Sequence, residues 1–133
     1  MSPRVLVVDD EPAILHAIER ALRRRGIEVV VAAEARAALA ALEAEPMDAV
    51  LLDVRLPGPS GAAIGGEIAR RWPHLVERLI FMSGDPSTAI DRLPAACRGA
   101  PVLPKPFELQ RLFAEVQKIL DRVDAETPPG SSA

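Results

Sequence analysis

The most constraining stretch of this chain is residues 49–57, Ala-Val-Leu-Leu-Asp-Val-Arg-Leu-Pro, in which four apolar residues run straight into one carboxylate, Asp53. A turn rich in Pro and Gly follows at once, at residues 57–61. An apolar run this short between turn signals predicts a parallel strand covered on both faces, with Asp53 at its carboxyl end. In open α/β sheets ligands bind at that edge.

The rest of the chain repeats the pattern. Val5 to Val8 is an apolar strand that ends in Asp9, Asp10 and Glu11; Pro12 then suits the first turn of a helix, whose stripe is Ile14, Leu15, Ile18, Ala21 and Leu22, and Gly26 stops it. Residues 27–32 form strand two, and residues 34–45 an Ala-rich helix with Ala35, Leu39 and Leu42 inward, closed by Pro46. After strand three, residues 61–72 should be a weak helix, because Gly65 and Gly66 each cost about 1 kcal/mol relative to Ala. Residues 79–82 form strand four, ending at Ser83, Gly84 and Asp85. Residues 86–99 have a helical pattern with Ile90, Leu93 and Cys97 inward, but Pro94 should leave that helix short or broken. Strand five is Val102 and Leu103, followed by Pro104, Lys105 and Pro106. From Phe107 onward, Leu109, Leu112, Phe113, Val116, Ile119 and Leu120 mark the best amphipathic helix of the chain. Residues 1–123 then form one domain, and residues 124–133 read as a disordered tail or a truncated linker, with small polar residues and two prolines from 127 on.

Five strand-helix units with near-continuous apolar strands make a parallel sheet with helices on both faces. At 133 residues the chain can bury about two-thirds of the surface its unfolded form exposes, so it needs no staples. Its single cysteine, Cys97, excludes a disulfide framework and a thiolate zinc site, and reads as a small core residue. The sequence lacks an apolar run near the roughly 20 residues of a membrane span and a secretory leader pattern, so a cytoplasmic protein is expected. A net charge of −3 argues against a nucleic-acid surface. The one basic run, Arg23 to Arg25, suits the negative end of a helix, and His16 and His74 have no partners at ligand spacing.

The strand ends carry the chemistry: Asp9 and Asp10 after strand one, Asp53 on strand three, Ser83 on strand four, Lys105 after strand five. With a strand order of 2-1-3-4-5, strands one and three are neighbours at the topological switch point and their three carboxylates converge. Such a cluster persists only if a cation neutralises it, and an all-oxygen site with open positions suits Mg²⁺. Only two of the sixteen basic residues are Lys, yet one of them, Lys105, stands where a strand points into the acidic cluster. Its compact charge on a flexible stem can meet a carboxylate or a phosphoryl oxygen.

These residues together resemble the receiver domain of two-component response regulators, a CheY-like, flavodoxin-like fold, over about residues 4–122. The matching positions are Asp9-Asp10, Asp53 with Gly61 eight residues on, Ser83-Gly84 and Lys105-Pro106-Phe107. The resemblance implies that Asp53 is the phosphoryl acceptor. It also implies that Asp9, Asp10, Asp53 and the backbone carbonyl of Arg55 hold Mg²⁺. Ser83 and Lys105 then bind the transferred group, and the Lys105-Pro106 bond is cis. A sensor histidine kinase or a histidine phosphotransfer protein is the implied donor, and the face of helix four, strand five and helix five is the implied output surface toward an unknown target. Arg55 and Asp85, each two residues beyond a pocket member, are expected to modulate the lifetime of the phosphoryl group. One departure stands out: the family usually carries Tyr or Phe three residues before the pocket Lys, and here the switch position is Val102, with no ring to swing.

Two other classes compete with this reading. A Mg²⁺-dependent aspartyl-nucleophile phosphatase places a second acid two residues after its nucleophile, where this chain has Arg55. A receiver-like interaction platform that works without phosphate has no need of the complete acidic set and Lys105.

Overall fold

The computed structural model describes residues 2–126. Its strands are β1 (Arg4–Val8), β2 (Glu28–Ala32), β3 (Ala49–Asp53), β4 (Leu79–Ser83) and β5 (Val102–Pro104). Between and after them lie the helices α1 (Pro12–Arg23), α2 (Ala35–Ala44), α3 (Gly61–Arg71), α4 (Pro86–Arg92) and α5 (Leu109–Glu126), with 3₁₀ turns at Pro73–Arg78 and Ala95–Cys97. The sheet is parallel throughout in the order β2-β1-β3-β4-β5, as expected for the doubly wound fold.

Alternation along the strands feeds two cores. Leu6, Val8, Leu52 and Phe81 pack with α2, α3 and the α4 region on one face. Val5, Val7, Leu51, Ile80 and Met82 pack with α1 and α5 on the other, through Ile18, Leu22, Leu112, Val116 and Ile119. Strands β3 and β4 are buried over their whole length, which explains their unbroken apolar sequences.

Helix signals fall where chain chemistry places them. Pro12 opens α1, and the Ser60 hydroxyl caps α3 by accepting the amide of Ala63 at 3.1 Å. The two glycines of α3 do not prevent the helix. At Gly65 the helix packs close to the core: a Cβ there would stand 3.0 Å from Cζ of the fully buried Phe81 and 3.2 Å from Sγ of Cys97, so those side chains would have to give by a few tenths of an ångström to admit one. The sequence shows only its helix cost; the structure shows this close approach.

Three expectations need correction. Ile90 is 48% exposed, and Ala89 takes the buried position instead, because a helix of only seven residues fixes its rotation by its ends and turns Ala89 and Leu93 inward. Helix α5 starts at Leu109 rather than Phe107, so Leu109 lies in the exposed first turn. It continues to Glu126, past the expected domain end at 123, and residues 127–133, expected to be disordered, lie outside the described residues.

Pro94 has the expected effect: α4 ends at Arg92, Leu93 is extended (ψ 141°) as a residue before proline prefers, and a 3₁₀ turn follows. Of α4's own residues only Ala89 is buried. Amide exchange over residues 86–99 is therefore expected to be the fastest of the helical segments 12–120. Protection there equal to that of α5 would contradict this.

Candidate functional site at the carboxyl edge of the sheet

The register aligns the strand ends. Val8 pairs with Leu52, Asp53 with Met82 and Ser83 with Pro104, so the residues that follow emerge at one level. At that level the carboxylates of Asp9, Asp10 and Asp53 each offer an oxygen within 4.8 Å of the others. Asp9 and Asp53 are buried and Asp10 is exposed at the mouth. Lys105 bridges the two buried acids: its Nζ donates to Asp9 Oδ2 at 2.6 Å and to Asp53 Oδ2 at 2.9 Å, and lies 3.6 Å from Glu11 Oε1. The second oxygens are also engaged, Asp9 Oδ1 by the Glu11 amide at 2.9 Å and Asp53 Oδ1 by the Arg55 amide at 3.1 Å. The Lys105-Pro106 bond is cis.

The electrostatics follow from burial. Desolvation pushes the Asp53 carboxyl above its ordinary range, the Asp9 charge adds to this, and the bonds from Lys105 and the Arg55 amide offset part of it. For Lys105, burial alone would lower the pKa, but its hydrogen bonds to Asp9 and Asp53 outweigh it and hold the ammonium above its usual value. Ser83, 7% exposed, sits beside the cluster with its Oγ accepting the Asp85 amide at 3.0 Å. Asp85 is fully exposed; the Ser87 hydroxyl, donating at 2.9 Å, helps hold its carboxyl below the usual value, with a smaller contribution from the Arg55 charge. Arg55 and Asp85 thus feel each other, while the described ion pairs do not join them.

An open cleft of roughly 700 Å³ gives access, lined by Asp10, Glu11, Asp53, Arg55, Arg92 and Lys105 among others. Two of these were missed by sequence reasoning. Glu11 was legible as the third acid of its run, but Arg92 reaches the cleft only through the placement of α4, which no local pattern reveals. Val102 is half-buried against the α2/α3-side core. Cys97 is buried and its thiol is pushed up by burial, as a core residue should be, and His16 and His74 are exposed. No described helix is long and apolar enough to cross a membrane.

A doubly wound sheet with an acidic triad and a lysine at its switch point defines the class of the protein as an α/β domain with a cation- and phosphate-compatible site at the strand ends. The chain belongs to the response regulator receiver domain family, whose model matches residues 5–117. It is 35% identical to the transcriptional activator protein PfeR of Pseudomonas aeruginosa over 96% of this chain and 41% of that protein. It is 31% identical to the response regulator MprA of Mycolicibacterium vanbaalenii over 100% of this chain and 57% of that one. The chain thus spans about half the length of the curated relatives it matches. Among solved structures, a response regulator receiver domain protein from Clostridium thermocellum superposes with a TM-score of 0.79 at 30% identity, over 92% of this chain and 98% of that one. The response regulator TrrA of Thermotoga maritima, solved in complex with Mg(2+)-BeF, gives 0.77 at 29% identity, over 88% and 98%.

Proposed function

We propose that this receiver accepts a phosphoryl group on Asp53 from the phosphohistidine of a sensor histidine kinase or a histidine phosphotransfer protein. The observation that supports it most is the Lys105 bridge between Asp9 and Asp53 at the base of an open cleft. One oxygen of Asp53 is fixed by the Arg55 amide while the other, among the described residues, is held only by Lys105, a flexible cation. The second oxygen is the natural nucleophile. As the Asp53 oxygen–phosphorus bond forms in line with the departing imidazole, the phosphorus–nitrogen bond breaks and its electron pair stays on the ring. Lys105 can follow the charge from the carboxylate to a phosphoryl oxygen without leaving the site. Ser83, whose hydroxyl hydrogen is not committed to any described partner, can donate to another phosphoryl oxygen.

The carboxylate set also fits Mg²⁺, because three acids lie within mutual reach and, among the described residues, one amine neutralises them. Asp9, Asp10, Asp53 and the Arg55 carbonyl would hold the ion. When bound it would neutralise charge on the phosphoryl oxygens and share one of them. On this reading Arg55, which lines the cleft, and Asp85 slow the approach of water to the acyl phosphate, and the α4-β5-α5 face carries the output.

The test is intact-mass analysis after incubation with acetyl phosphate, with and without Mg²⁺. Wild type should gain one phosphoryl group only with the metal, and Asp53→Asn should gain none. Modification of the variant equal to that of wild type would remove the mechanism and favour a platform that works without phosphate.

A further inference from the structure

The cleft carries a cation that phosphoryl acceptance on Asp53 does not use. Arg92 stands in the last turn of α4 and lines the cleft together with Arg55, Leu56, Ser60 and Lys105. A cation at a helix C-terminus is ordinary dipole chemistry. A place on the wall of the acceptor cleft is not implied by it. Among the described residues Arg92 has no ion pair and no side-chain hydrogen bond, whereas Lys105 is tied to Asp9 and Asp53.

Asp9, Asp53 and Lys105 lie deepest, and the exposed rim carries the cations Arg55 and Arg92 together with the acids Asp10 and Glu11. In-line displacement fixes what the rim must meet: if the Asp53 oxygen attacks from the floor, the leaving group departs on the outer side. Donor classes differ in what leaves. From an acyl phosphate the phosphorus–oxygen bond breaks, its electron pair stays on a carboxylate, and charge balances with no proton moved. From a phosphoramidate already protonated on nitrogen the phosphorus–nitrogen bond breaks, its electron pair stays on the nitrogen, and the amine leaves neutral with no further proton moved. A guanidinium is all donors; it binds a carboxylate through two parallel hydrogen bonds and gains little from a neutral amine.

We infer that Arg92 is a specificity-determining residue that receives the departing carboxylate, biasing the site, among small-molecule donors, toward acyl phosphates over phosphoramidate. The inference rests on Asp53 as the acceptor and adds a leaving-group subsite to it. It is tested with wild type, Arg92→Gln and Arg92→Lys, each with Mg²⁺, by comparing phosphorylation rates from acetyl phosphate and from phosphoramidate. Arg92→Gln should slow the acetyl phosphate reaction about tenfold while the phosphoramidate rate stays within about twofold. Arg92→Lys should fall between, since it keeps the charge and loses the fork. Affinity for beryllium fluoride, which has no leaving group, should be unchanged. Equal slowing with both donors, a parallel loss of beryllium fluoride affinity, or no change at all would overturn the assignment. A wild type that takes a phosphoryl group from neither donor would instead overturn the acceptor role of Asp53, and the subsite with it.

Discussion

Replacing Gly61 by Ala is expected to destabilise the domain by about 3 kcal/mol or more, at or beyond the upper end of ordinary overpacking. A Cβ at this position would stand 1.9 Å from the Asp53 carbonyl oxygen, 2.7 Å from its carbonyl carbon and 3.0 Å from the Val54 Cα. Those are backbone atoms at the end of a fully buried strand, so no rotamer change relieves the clash. The helix-propensity gain of Gly→Ala, about 1 kcal/mol, is too small to compensate. Because relief must come from moving β3 against α3, Asp53 moves as well. A misplacement near 1 Å can cost about 100-fold in rate, so phosphorylation should fall by that order even in the folded fraction. Gly66→Ala is the control: its nearest neighbour is Pro94 Cγ at 3.4 Å, an ordinary contact, and thermal stability should hold or rise slightly. Equal melting of Gly61→Ala and wild type would show that α3 can back away from the strand without cost.

Gly61 also marks the limit of what the sequence could reveal. The fold was legible because each strand is a short apolar run between turn signals, and because the register of a parallel sheet follows once the order is set. The convergence of Asp9, Asp10, Asp53 and Lys105 was legible for the same reason: each lies at or just past a strand end. What stayed hidden depends on contacts between distant segments. Gly61 read as a turn residue, and its close approach to Asp53 exists only after β3 and α3 pack. Gly65 read as a weakness, and its partner Phe81 comes from another strand. Ile90 was assigned inward by period, but a seven-residue helix bounded by Pro86 and a proline two residues past its end takes its rotation from its anchors. Arg92 lines the cleft through the placement of that helix, which no local pattern reveals.

Lys105→Met is expected to produce the second large effect, and one that metal reverses. The ammonium is the one cation within 4.0 Å of the buried Asp9 and Asp53 among the described residues, and removing one partner of a fully buried ion pair costs about 3–5 kcal/mol. Of the two acids Asp53 lines the open cleft, where water can replace the ammonium, so a loss of about 2–3 kcal/mol without Mg²⁺ is expected. Its pH dependence has a definite sign. Asp53 already titrates above its ordinary range, so its ionisation opposes folding, and Lys105 is the largest influence pulling it back down. Without Lys105 the carboxyl rises further. The deficit of the variant should therefore be full at neutral pH and shrink as pH falls through the folded-state pKa of Asp53. In wild type the Lys105 contribution runs the other way: its pKa is raised, so its stabilisation is complete below about 10.5 and lost as pH rises beyond that. Adding Mg²⁺ supplies the missing positive charge and should recover most of the loss at pH 7, in proportion to ion concentration. Melting curves of both proteins across pH, with and without the ion, measure all three effects. A deficit that neither acid nor Mg²⁺ relieves would mean that Lys105 stabilises the domain by packing its stem, not by neutralising the carboxylates.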